Sequence, residues 1–130
     1  MNMNEKLTRN FSIDEFKCPE AGLPTGEVLS NIRNLAEQLQ IIRDALGKPM
    51  NIISGWRSPS YNKRIGGAKE SQHQFGKAAD IKVPGLAPAE LHSLILKLIK
   101  EGKIAQGGVG KYSTFVHYDT RGTTARWSGN

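Results

Sequence analysis

Apolar residues recur along the chain with two different periods, and those periods place most of its elements. Between Glu27 and Leu46, Val28, Ile32, Leu35, Leu39, Ile42 and Leu46 follow one another at alternating steps of four and three, the stripe of an amphipathic helix. Gly47, followed by Lys48-Pro49, supplies its stop. A second helix is predicted from about Pro88 to Glu101, with Pro88 in its first turn, Leu91, Leu94, Ile95 and Leu98 inward, and Gly102 after it. Ahead of both, Ser12 and Glu15 form a capping box flanked by Phe11 and Phe16 as a hydrophobic staple, so a short helix is expected to start at Ser12 and end before Pro19. Short apolar runs at Met50 to Ser54 and Ala78 to Val83 read as strands, and Thr114 to Thr120 reads as the last one. The segment SGWRSPSYN after the first strand reads as a polar loop, and Gly107-Gly108-Val109-Gly110 is too short to be a linker.

Length and composition narrow this to one domain. A chain of 130 residues can enclose one core without covalent staples, and a single domain over residues 1–130 is expected. Cys18, the only cysteine, has no intrachain partner for a disulfide and reads as a small, part-buried side chain. The N-terminal stretch lacks the apolar run of a secretory signal, and no run approaches the roughly 18 apolar residues of a membrane span. A protein that is cytoplasmic as synthesised and not inserted in a membrane is the expectation. Charge is unevenly distributed: residues 1–50 carry six Lys or Arg against seven Asp or Glu, whereas residues 51–130 carry twelve against five. The basic half suits anionic partners, among them acidic cell-wall polymers and carboxylate-bearing peptides. Its lysines and arginines are scattered without interleaved aromatics or a nucleic-acid motif, so no specific nucleic-acid partner is expected.

That same half holds the candidate chemistry. His73 and Asp80 stand seven positions apart in SQHQFGKAAD, and a second histidine, His117, lies in FVHYDTRG. Two imidazoles and one carboxylate are what a catalytic zinc ion takes from a protein when its fourth position stays open to water or substrate. Side-chain alternation along the last strand sends Ser113, Phe115, His117, Asp119 and Arg121 to one side, and Val116 and Tyr118 to the other. Neighbouring strands about 5 Å apart then bring Asp80 and His117 within reach of one ion. Asp80 within the apolar run AADIKV is costly to bury without a cation, hydrogen bonds or a proton. The third histidine, His92, falls on the solvated face of the second helix and is set aside as a ligand.

The segments LTRNFSIDEFKC, ISGWRSPSYNKRIGGAKESQHQFGKAADIKVPG and GGVGKYSTFVHYDTRG resemble the zinc D-alanyl-D-alanine carboxypeptidase family, in particular its single-domain branch in phages and bacteria. The resemblance covers nearly the whole chain. It implies an α+β fold, related to Hedgehog and lysostaphin-type domains, in which an antiparallel sheet carries the metal with helices packed on one side. It implies one zinc ion held by His73, Asp80 and His117, and hydrolysis of peptide bonds in peptidoglycan stem peptides by a carboxypeptidase or an endolysin-type endopeptidase. Arg57 in SGWRSP matches the family arginine that stabilises an oxyanion or grips a substrate carboxylate, and a guanidinium fork suits both. Ser71 and Gln72, just before the first ligand, are candidates for a hydrogen bond to substrate or metal.

One departure stands out. Better-known members carry a titratable base two or three residues before the last histidine, where this chain has Phe115 and Thr114. The nearest carboxylate is Asp119, either as base or as the group that orients an imidazole ligand. Tyr112 is a candidate donor to the intermediate, as against packing beside a glycine turn. The expected reaction is attack by zinc-activated water on a stem-peptide carbonyl, with Arg57 at the developing oxyanion. The alternative is a non-catalytic zinc-containing domain that binds cell-wall peptide. No obligate protein partner is implied, and action at the cell wall requires release, as from a phage lysis module.

Overall fold

In the computed structural model, residues 5–129 are described, and they form three α-helices and a five-stranded sheet. Helix α1 spans Gly26–Leu46 and helix α3 spans Pro88–Lys100. The stripe that predicts α1 is the stripe it buries: Ile32, Leu35, Leu39 and Ile42 are inaccessible to solvent, joined by Ala36. Gly47 ends α1 in the left-handed conformation, with its N–H bonded to the Arg43 carbonyl, as a glycine C-cap requires. The capping box at Ser12 is formed: Glu15 Oε2 accepts from Ser12 N at 2.8 Å and Glu15 N donates to the Ser12 carbonyl. It opens a single 3-10 turn, Ile13–Phe16, and the stapling rings of Phe11 and Phe16 meet edge to face with centroids 6.4 Å apart.

The strands are β1 (Asn51–Ser54), β2 (Ala78–Lys82), β3 (Gly108–Lys111), β4 (Val116–Asp119) and β5 (Ala125–Ser128), in the spatial order β1-β2-β4-β3-β5. Three of the pairings are antiparallel, but β3 and β5 run parallel, so the sheet is mixed and not antiparallel throughout as expected. The physical reason lies in β5, which returns after the turn at Gly122 to lie along the free edge of β3. Its short alternating run, ARWS, has only two residues on each face, too few to register as a strand on its own. Strand β3 escapes the same kind of reading because it is half glycine, a poor strand former that a sheet accepts where another group approaches closely. Residues 59–62, the end of the expected loop, lie in helix α2 (Pro59–Arg64), with the Ser58 hydroxyl accepting from Tyr61 N and Pro59 in the first turn.

Alternation divides the sheet cleanly. Ala79, Ile81, Val109, Val116 and Tyr118 enter one core with α1 and α3, while Asp80 and His117 face the other side. Cys18 is fully buried and unpaired, deeper than its sequence context suggests, with its sulfur 3.5 Å from the Ser58 amide. His92 is half-buried on α3 and belongs to no cluster of metal-binding side chains among the described residues. No helix among them is long and apolar enough to cross a membrane.

Register now fixes what stands beside what. Asp80 pairs with Ser54 on β1 and with His117 on β4, His117 pairs with Gly110 on β3, and Gly110 pairs with Trp127 on β5. One row crosses all five strands, and the missing side chain at Gly110 lets the Trp127 indole lean over to His117, with ring centroids 4.9 Å apart. A Cβ at position 110 would overlap Trp127 Nε1 and Cε2. Gly110→Ala is therefore expected to push the indole aside and destabilise the protein by about 1–3 kcal/mol. Urea denaturation followed by tryptophan fluorescence checks this; an unchanged midpoint and spectrum would show that β5 does not pack over β3 as described.

Candidate metal centre

Three donors meet on the open face of the sheet. Asp80 is presented by β2 and His117 by β4, directly opposite in register. His73 comes from a 3-10 turn, Gln72–Phe75, capped by Ser71, whose hydroxyl accepts from His73 N at 3.3 Å. Gly76 ends that turn in the left-handed conformation and lies against Val28 and Ile32 of α1, where a side chain would collide. The turn is thus pressed onto α1 and its histidine is aimed at the sheet.

The ligand-capable atoms of His73, Asp80 and His117 lie within 4.8 Å of one another. His73 Nε2 is 3.3 Å and His117 Nδ1 is 3.1 Å from the same oxygen, Asp80 Oδ1. Each imidazole is engaged on its other nitrogen: His73 Nδ1 donates to the Gly55 carbonyl at 2.7 Å, and His117 Nε2 donates to Asp119 Oδ2 at 2.7 Å. With their protons on those outer nitrogens, two imidazole lone pairs and a carboxylate oxygen point at one another in a buried site. Such convergence is repulsive unless protons or a cation lie between. The spacing fits an ion: tetrahedral bonds of the zinc–nitrogen length separate neighbouring ligand atoms by about 3.3 Å. The outer hydrogen bonds to carbonyl and carboxylate are those that orient imidazoles around a metal.

Electrostatics follow the same geometry. Burial opposes ionisation of Asp80, yet hydrogen bonds from His117 and His73 outweigh it whenever those rings carry a second, inward proton, and then hold the carboxyl well below the usual range. For Asp119, burial is again outweighed, by hydrogen bonds from His117, Arg121 and the Gly108 amide. Burial lowers the His117 pKa, but its two carboxylate partners raise it above the ordinary value overall.

The other expected residues separate into two groups. Arg57, Ser71, Gln72 and Tyr112 line a cavity of about 410 Å³ in front of the three donors. Arg57 is anchored by Nε to Ser54 Oγ at 3.2 Å and by Nη1 to Asn62 Oδ1 at 3.2 Å, leaving Nη2 3.5 Å from Asp80 Oδ2. Tyr112 accepts a hydrogen bond from Trp127 Nε1 at 2.8 Å, which frees its own proton for another acceptor, and its ring stacks on Phe115. Asp119 is elsewhere: fully buried behind His117, with both oxygens occupied and no share in the cavity wall. Of the carboxylates, Glu70 and Asp80 line the cavity.

Further contributors lie outside the residues singled out from sequence. Asn62 holds Arg57 and donates to the Ala68 carbonyl at 2.8 Å; its signal is the S-P helix start that places it on α2. Gly67 must lack a side chain because Asn62 fills that space. Arg121 continues the alternation of His117 and Asp119, and Trp127 arrives only through the parallel pairing of β5.

A donor triad on a sheet face, open to a cavity and backed by an anchored arginine, defines a class of protein: one that holds a single metal ion where a ligand can reach it. The peptidase M15 family model matches residues 9–119, and the chain belongs to that family. It is similar to peptidoglycan L,D-endopeptidase MepK of Escherichia coli (strain K12), with 36% identity over 102 residues, covering 72% of this chain and 52% of that protein. It is similar to probable peptidoglycan L,D-endopeptidase MepK of Haemophilus influenzae, at 32% identity over an alignment of 148 positions covering 99% of this chain and 76% of that protein. A shorter stretch is 44% identical over 45 residues to the zinc D-Ala-D-Ala carboxypeptidase of Streptomyces albus G, covering 34% of this chain and 18% of that one. The chain spans about half the length of the E. coli relative.

Removing the buried carboxylate behind His117 leaves a guanidinium, an imidazole and two backbone amides without their shared acceptor. Asp119→Ala is expected to cost about 3–5 kcal/mol of stability even with chelator present, read by urea denaturation. A loss below 1 kcal/mol, on the scale of a surface pair, would contradict the burial described.

Proposed function

We propose that this chain is a zinc peptidase that hydrolyses peptide bonds in peptidoglycan stem peptides. The observation that carries the reading is the convergence of His73 Nε2, His117 Nδ1 and Asp80 Oδ1, with both outer imidazole nitrogens already engaged. Zinc, when bound, supplies a Lewis acid that polarises a carbonyl and lowers the pKa of water to about 7. Membership of the peptidase M15 family and the names of the relatives supply the substrate class.

The protein's own groups take the remaining roles. Arg57 presents a fixed positive charge to the cavity, its fork held by Ser54 and Asn62, and so stands ready for an oxyanion or a substrate carboxylate. Tyr112 donates its free proton to a substrate oxygen, and the Gln72 amide offers a further polar contact from the cavity wall. Ser71 holds the turn that aims His73. Asp119 orients His117 and takes no proton from water, since it is buried behind the imidazole and does not reach the cavity. Cleavage within the stem, at an L,D bond, is the favoured specificity. The relatives bearing that activity in their names overlap 72% and 99% of the chain, against 34% for the carboxypeptidase.

His73→Ala and His117→Ala are expected to lose both zinc and hydrolysis, measured by metal content and by mass analysis of digested sacculi. Arg57→Ala is expected to keep zinc while turnover falls by about 10²–10³-fold. Zinc retained by wild-type protein that yields no product from sacculi or from synthetic stem peptides would replace this reading with that of a wall-binding domain.

A further inference from the structure

Arg121 lies just past the end of β4, and its guanidinium closes on both oxygens of Asp119. Its Nε donates to Oδ1 at 2.9 Å and its Nη2 to Oδ2 at 2.8 Å, while its backbone N–H donates to Oδ1 at 3.1 Å. Oδ2 is also the atom that accepts from His117 Nε2. From its other side the guanidinium is covered by Trp127, with Cζ 5.5 Å from the ring centroid. Trp127 in turn leans on His117 and is tied through its indole N–H to Tyr112. The floor of this assembly is Gly108, whose N–H donates to Oδ1 at 2.8 Å. A Cβ on Gly108 would overlap Asp119 Oδ2 and crowd Arg121 Nη2 at 2.8 Å.

An ordinary surface ion pair is a poor account of this arrangement. The Arg121 side chain is about 29% exposed, but that of its partner is wholly buried. A carboxylate held by one donor can turn about its last torsion and exchange its oxygens. A bidentate fork with two backbone donors removes that freedom. A fixed, ionised Oδ2 only accepts, so the proton of a neutral His117 belongs on Nε2, and the Nδ1 lone pair is left facing Asp80.

We propose that Arg121 is a positioning residue for the metal centre: clamped on Asp119 beneath Trp127, it fixes the His117 tautomer that offers Nδ1 to the ion. The proposal rests on the zinc reading above, and its test separates the two. Wild type, Arg121→Met, Arg121→Lys and Gly108→Ala are compared for zinc affinity by chelator competition. The ¹⁵N shifts of the His117 ring are recorded in zinc-loaded wild type.

The expected spectrum shows coordination through Nδ1 with Nε2 protonated, and zinc affinity falls by about 10–100-fold in Arg121→Met and in Gly108→Ala, the cost of losing an outer partner of a ligand. Arg121→Lys keeps the charge without the fork and is expected not to restore affinity, which sets positioning apart from simple charge balance. Zinc affinity equal to wild type in Arg121→Met, or full rescue by Arg121→Lys, overturns the proposal. So does coordination of His117 through Nε2, a reading that stands even if a variant fails to fold. Wild type that takes up no zinc would instead refute the metal centre itself.

Discussion

The two hydrogen bonds on the outer nitrogens of His73 and His117 decide what this molecule can be. Without them each imidazole could turn, share its proton with Asp80 and settle as part of a buried ionic cluster. With Gly55 and Asp119 holding those protons, the inner nitrogens of neutral imidazoles have lone pairs only, and they converge on the Asp80 carboxylate. Three negative or lone-pair groups packed together out of water demand protons or a cation between them. The rest of the structure can be understood as the means of enforcing that demand.

Enforcement comes from both ends of the sheet. On the β1 side, Ser54 and Asn62 hold Arg57 against the outer oxygen of Asp80, so the carboxylate that faces the histidines on one oxygen meets a guanidinium on the other. On the β5 side, Arg121 and Trp127 close over Asp119 and His117. The glycines of β3 make this closure possible. Gly108 leaves space for the carboxylate and its guanidinium, and Gly110 leaves space for the indole. A strand built from larger residues would pair equally well with β4 and would exclude the clamp.

The two faces of the sheet carry opposite demands, and the alternation of β2 and β4 satisfies both. Tyr118 and Val116 enter the core beneath α1 and α3, while His117 between them projects into the polar cavity. A change in strand register by one residue would bury the imidazole and expose the tyrosine. The hydrophobic core therefore sets the register, and the register sets the spacing of the donors. Stability and chemistry are coupled through the same pairing.

By itself the chain's sequence determined the long helix, its glycine stop, the alternation of the strand that carries His117 and the residue types of the donor set. Each of these depends on a local period or on side chains close together in the chain. The capping box at Ser12 and the facing of His117 and Asp119 are legible for the same reason. The parallel edge strand, the arrival of Trp127 and the division of labour between Asp80 and Asp119 depend on which strand edge lies free once the others have paired. Asp80 and Asp119 are the same residue type and both lie in short buried strands; only pairing puts one among the imidazoles in front of the cavity and the other behind His117 in the grip of Arg121. Tertiary structure made that choice because non-local hydrogen bonding, with no periodic trace in sequence, fixes the side of the ring on which each carboxylate sits.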